Sequence, residues 1–210
     1  MAIDSIIPKA GYLTIRDQIA VILALEVSAQ LALAIAEGDT EYQAVLESFY
    51  KGDDTLSIYV ERFQPFDIQE LNALNVYITN VDESEGSNSR QQKGKVSINI
   101  DVTTLGEVND LTAAHRMQRM ASTIRGVLSS GFYKTLGFSP NTFIRRRWVT
   151  SVQTYQPNET DNTGYLYAGT VQFIVEYEEM NVLQPTSVLS VNYTDITVNP
   201  DGRFSLEFNN

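Results

Sequence analysis

KVSINIDVTTLGEVNDLTAAHRMQRMASTIRGVL, Lys95–Leu128, holds one strand, a short polar link and one long helix. In Lys95–Thr103, Val96, Ile98, Ile100 and Val102 alternate with Lys95, Ser97, Asn99, Asp101 and Thr103. That is the period of two of a strand with one buried and one wetted face. Asn109 or Asp110 can then cap a helix in which Ala113, Met117, Ala121, Ile124 and Leu128 recur at three or four residues. The two apolar surfaces need a common core, and a helix lying on its own sheet supplies one. The remaining segments read as further strands for that sheet and a second helix to cover it.

Upstream, Met1–Leu13 is a short lead broken by Pro8 and Gly11. Thr14 can cap a helix that runs to about Glu37 and stops at Gly38. Its Ile15, Ile19, Ile22, Leu23, Val27, Leu31 and Ile35 make a broad apolar face, with Glu26 and Gln30 opposite. A helix this apolar is covered on more than one side, by its own domain or by another subunit. Ile19–Ala36 comes closest to a membrane span, but Glu26, Ser28 and Gln30 interrupt it. A charge there costs ~2.5–3.5 kcal/mol on insertion scales, so a buried helix is expected, with no membrane partner. Asp39 or Thr40 opens a shorter helix ending near Tyr50, before the turn residues Lys51-Gly52-Asp53-Asp54.

Leu56–Phe63 reads as a short strand or an extended arm, interrupted by Pro65, and Leu74–Val81 as a firmer strand. Asp82–Gly94 has no large apolar residue; it is acidic at Asp82, Glu83 and Glu85, then basic at Arg90, Lys93 and the following Lys95. It reads as a long, mobile hairpin tip, either simply solvated or gripping a partner. Past the long helix, Gly131, Gly137 and Pro140 mark a connection. Phe143–Gln156 and Tyr165–Glu178 then form a hairpin across the polar turn Gln156–Gly164. Val188–Val198 and Arg203–Phe208 follow, joined by the turn Asn199-Pro200-Asp201-Gly202. An isolated hairpin is marginal in water, so this one has to dock on its own domain or on a neighbour. The expected fold is α+β: a mixed, mainly antiparallel sheet packed against two long helices in residues 1–180, with a C-terminal β-hairpin extension in 181–210.

Fifteen basic against 26 acidic residues give a net charge of −11. Such a balance disfavours a general nucleic-acid binder and suits solubility, or a surface that lets DNA slide past. An apolar share of 43% is enough for a real core. The absence of cysteine rules out a disulfide, a thiolate nucleophile and a Cys-based metal site. The N-terminus has no basic run ahead of an apolar core, so no secretory signal is expected. His115 is the only histidine, which excludes a His-rich metal site and disfavours a Ser-His-Asp triad. The sequence has no phosphate-binding glycine loop. Gly126-Val127-Leu128-Ser129-Ser130-Gly131 is one residue too long for a nucleophile elbow. No enzyme, no catalytic or metal-binding residue and no cofactor are expected.

Arg145, Arg146 and Arg147 stand together where a strand begins. They are either solvated charges that blunt strand pairing or a docking patch for an acidic surface or a phosphate backbone. On the long helix, Arg116 and Arg119 sit away from the core. Arg125 lies at the margin of the apolar face, where it snorkels or pairs across a subunit boundary. With Asp82, Glu83, Glu85, Arg90 and Lys93, these arginines are the candidate partner and subunit contacts.

Taken in order, Thr14–Glu37, Leu74–Glu83, Lys95–Thr103 with Asp110–Leu128, and Phe143–Glu178 resemble the tail terminator (tail completion) proteins of long-tailed bacteriophages. These pair an N-terminal helix with a mixed sheet, place a second long helix after a central strand and end on a returning hairpin. The likeness covers Thr14 to Glu178, and Met180–Asn210 looks like an addition. The resemblance implies a structural virion protein: a ring, normally a homo-hexamer, that caps the finished tail tube and joins it to the neck. The implied partners are further copies of the chain, the tail tube protein, a neck or connector protein and, where the tail has one, a sheath. DNA would pass through without specific binding. The implied location is the tail–neck junction of the virion, after assembly in the host cytoplasm. The family offers no catalytic residue to carry over. Other readings stay open: another neck or head-completion (stopper-type) protein, a small nucleic-acid-binding module using Arg116, Arg119 and Arg145–Arg147, or a hydrolase with a carboxylate pair in a pocket.

Overall fold

The alternation in Lys95–Thr103 belongs to a longer strand, Gln91–Gly106, at the centre of the sheet in the computed structural model. The structure describes residues 11–50, 56–62, 72–85, 91–106, 111–138, 144–155, 158–160, 164–180, 196–198 and 204–206. The chain divides into two units, Lys9–Met180 and one that holds Asn181–Asn210.

The larger unit is α+β. Its strands are β1 (Ile58–Val60), β2 (Ala73–Glu85), β3 (Gln91–Gly106), β4 (Ile144–Thr154), β5 (Asn158–Thr160) and β6 (Gly164–Met180). They run in the order β1-β2-β3-β6-β4, with the short β5 also on β6. β1 pairs parallel to β2 and every other pair is antiparallel, so the sheet is mixed. The helices are α1 (Gly11–Glu37), α2 (Thr40–Glu47) and α3 (Leu111–Ser129).

Period two sorts the sheet into faces. Val76, Val96, Ile98, Ile100, Val171, Phe173 and Val175 are fully buried, while their neighbours Ser97, Asn99, Gln172 and Ile174 are only half-buried. The inward face meets Ile15, Ile19, Leu23 and Val27 of α1 and Met117, Met120, Ala121 and Ile124 of α3 in one core. Such burial stabilises by ~1.5–3 kcal/mol for each large aliphatic side chain. Gly169 brings α3 close to β6, since a Cβ there would lie 2.6 Å from Met117 Sδ.

Several expectations are corrected. The first helix begins at Gly11 rather than Thr14. Its buried face includes Ala20 and Ala34, whereas Ile35 is exposed and Leu31 half-buried, because enclosure thins beyond Val27. Glu26, read as opposite the apolar face, is half-buried and accepts a hydrogen bond from the Tyr133 hydroxyl. Most of the expected tip Asp82–Gly94 is strand: Asp82 pairs with Lys95, Glu83 with Gly94, Ser84 with Lys93 and Glu85 with Gln92. A ladder whose side chains stay wet needs no apolar residues, and opposite charges facing each other support its register. Within the expected turn Gln156–Gly164, Asn158–Thr160 pairs with the start of β6.

Gly38 ends α1 as expected. It adopts φ +73°, and Gly38 N–H donates to Ile35 O while Asp39 N–H donates to Ala34 O. That double bond satisfies carbonyls the helix leaves open. Asp39 then caps α2, accepting from Tyr42 N–H at 2.8 Å. The expected caps Asn109 and Asp110 and the turns at 51–54 and 199–202 lie outside the described residues. In the second unit, β7 (Ile196–Val198) and β8 (Phe204–Leu206) pair antiparallel as a two-stranded sheet.

Candidate docking site at the open end of the sheet

The ends of β2, β3, β4 and β6 that meet around Gly94 and Tyr177 carry a cluster of charge. Reading across the strands, Asp82 stands opposite Lys95, Lys95 opposite Glu176, and Glu176 opposite Arg146. The row alternates in sign across the four strands. Each neighbouring pair of opposite charges favours the register by about 0.2–1 kcal/mol. One step further out, Lys93 stands opposite Glu178. The Glu178 carboxylate accepts from Nε and a second nitrogen of Arg145. That carboxylate is largely buried while the guanidinium is mostly exposed.

A cleft of about 440 Å³ opens among Asp82, Glu83, Lys93, Arg145 and their neighbours. Its floor is a glycine under an aromatic ring: a Cβ at Gly94 would lie 2.2 Å from Tyr177 Cζ. The ring thus fills the place a side chain at Gly94 would take. Its hydroxyl reaches Glu83 Oε1 at 3.4 Å. The lining carries both signs of charge at a strand-end surface, which suits an oppositely patterned protein surface. Among the described residues that line it there is no His.

Four of the sequence candidates thus converge: Asp82, Glu83, Lys93 and Arg145. Arg146 joins them on β4, with its guanidinium 5.4 Å from the Trp148 ring centre. Glu85 lies at the end of β2, one step beyond. Arg90 lies outside the described residues. Lys95, part of the basic run read from the sequence, belongs to the same end, as do Glu176, Tyr177 and Glu178, which were read only as faces of the return strand. The signal was available, because Glu176 and Glu178 alternate with Val175 and Tyr177 in the sequence.

The other arginines do different work. Arg147 is half-buried and points inward, donating to Leu128 O, Ser130 O and, at 3.3 Å, Lys134 O. Leu128 and Ser130 lie at the end of α3 (Lys134 follows the next turn), so Arg147 caps a helix C-terminus and opposes its negative dipole end. Burial pushes its pKa down. Arg119 pairs with Glu41 of α2 at 3.1 Å. Arg116 is half-buried and Arg125 exposed, both on α3. His115 is exposed on the same helix.

A second polar group was not foreseen. Mid-sheet, Thr170 Oγ1 donates to Asp101 Oδ1, and Asn99 Nδ2 donates to the Tyr77 hydroxyl. Desolvation raises the Asp101 pKa, and the bonds from Thr170 and Tyr77 oppose it. Desolvation raises Tyr77 as well. Among the described residues, no three His, Asp or Glu side chains are grouped to hold a metal ion.

No protein-family model matches the chain, and no curated protein does.

Proposed function

We propose that the chain is a structural virion protein of the tail-terminator kind, forming a ring that closes a phage tail tube and joins it to the neck. The observation that carries this reading is the element order. A long N-terminal helix, a central antiparallel pair, a helix laid back over it and a returning hairpin share one mixed sheet. The mixed-charge strand ends add a surface for meeting an unlike surface. A ring needs such a heterologous contact, one patch on a different patch of the next copy. Complementary charge sets the register of that contact and speeds encounter. In this reading two long helices cover the sheet, and the C-terminal hairpin reaches a neighbour by strand addition.

Light scattering across protein concentration, at two salt levels, tests the ring directly. A discrete hexamer supports it. A concentration-independent monomer that is retained on DNA at low salt and released at high salt would replace it with the nucleic-acid-binding module, because phosphate contacts release counterions.

A further inference from the structure

α1, α2, α3 and the turn Gly131–Tyr133 line a second cleft, of about 500 Å³, which shares no residue with the one at the sheet ends. Among the residues that line it, Glu26 alone is charged. Its half-buried carboxylate accepts from the Tyr133 hydroxyl and, among the described residues, pairs with no cation. The phenol protons are already committed. Thr123 Oγ1 donates to Arg119 O at 2.9 Å, so in its 2.6 Å contact with Tyr42 it accepts and the Tyr42 hydroxyl donates. Tyr133 gives its proton to Glu26. The carboxylate and both phenol oxygens are thus left with lone pairs and no proton to give. Two further residues of the cleft do nothing for stability. Gly126 lies inside α3, where glycine is less favourable than alanine, yet a Cβ there would meet nothing within 4 Å. Helix packing does not require it, and its effect is to keep the cleft open. Phe132 is 86% exposed, its ring edge-on to that of Tyr133 with centres 5.1 Å apart.

We propose that this cleft receives the guanidinium of an arginine side chain carried by a partner protein. A guanidinium is all donors and no acceptor, the complement of a wall that offers lone pairs. Its charge meets Glu26 in a charge-assisted bond, and its plane stacks on the Phe132 ring. Lysine would bring the charge but no plane to lay on that ring. A hydroxylated ligand brings lone pairs that the phenols have no proton left to meet, and an anion would face Glu26 directly. The net charge of −11 draws a basic partner toward the chain. The exposure of Phe132 decides between a protein and a free small cation. A protein surface that inserts an arginine also covers the ring beside it, and buried pairs of arginine with aromatic residues are typical anchors of interfaces. A free cation would leave most of the ring in water. The inference needs no ring, since it uses neither the sheet ends nor a contact between copies.

The probe is Nα-acetyl-arginine methylamide, titrated into the full chain and followed by NMR on the Phe and Tyr ring signals. It should saturate at millimolar concentration. The citrulline counterpart, which has the same shape without the charge, should bind about tenfold more weakly. Glu26→Gln keeps an acceptor for Tyr133 and should weaken the arginine probe about tenfold. Glu37→Gln removes a charge from the exposed end of the same helix and should leave the affinity unchanged, which separates the cleft from the general pull of an acidic surface. Phe132→Ala takes away the stacking plane and should weaken the probe about fivefold. Gly126→Ala should raise the melting temperature, because alanine favours the helix, while weakening the probe about threefold, because the methyl group enters the cleft. Those opposite movements distinguish a filled site from a damaged fold. Equal affinity for arginine and citrulline, equal losses from Glu26→Gln and Glu37→Gln, or no saturation at millimolar concentration would overturn the proposal. So would binding of methylguanidinium without binding of the blocked arginine, which would assign the cleft to a free small cation.

Discussion

At Gly94 the sheet tolerates no side chain, because Tyr177 occupies the place of a Cβ. Gly94→Ala should therefore destabilise by ~1–3 kcal/mol through overpacking. Pairing it with Tyr177→Leu should cost less than the sum of the two single changes, a coupling that urea melts of the four proteins would read. Arg147 makes a comparable demand. Lysine there keeps the charge but loses the planar fork that reaches three carbonyls, so Arg147→Lys should cost ~1–3 kcal/mol, read by the same melts. Asp101 acts in the opposite sense. Its raised folded pKa means that the neutral form is favoured, so its contribution is complete below the ordinary carboxylate range. The contribution is lost as pH rises through that range to the raised value. Asp101→Asn keeps an acceptor for Thr170 and removes the buried charge. It should raise the melting temperature at pH 7, and the gain should vanish below about pH 4.

The elements show what kind of signal survives in sequence. β3, α3 and β6 were legible because each carries a long period, and their inward residues are the ones that the core encloses. The end of α1 was legible through one residue, Gly38, whose left-handed backbone costs other residues ~1 kcal/mol. Gly38→Ala should lower stability by about that amount in a thermal melt. The distal halves of β2 and β3 were not legible. Asp82–Glu85 and Gln91–Gly94 have no apolar face, so only cross-strand pairing reveals them as strand. For the same reason the docking cluster was seen in pieces: its residues come from distant segments that converge only when β6 enters between β3 and β4. Arg147 looked like its neighbours in sequence because a run of like residues hides the alternation of faces. Regular alternation would put Arg145 and Arg147 on one face, but a register shift between Ile144 and Arg146 breaks it, and only Arg147 of the three reaches the end of α3.

Across the whole molecule, the charge gathered at the open end of the sheet implies a response to salt. That end presents Lys93, Arg145 and Arg146 among Asp82, Glu83 and Glu176. Raising ionic strength from 0.1 M to 1 M shortens the screening length from ~10 Å to ~3 Å, which weakens contacts between exposed charges. If copies assemble through the sheet ends as proposed, that assembly should therefore fall with salt. Lys93→Glu tests this, because Lys93 is exposed and its loss leaves the core untouched. At low salt the variant should assemble less well than the parent; at high salt the two should converge. Light-scattering masses measured along a salt series would show it. Parallel curves for parent and variant at every salt would remove the sheet ends from the assembly contact.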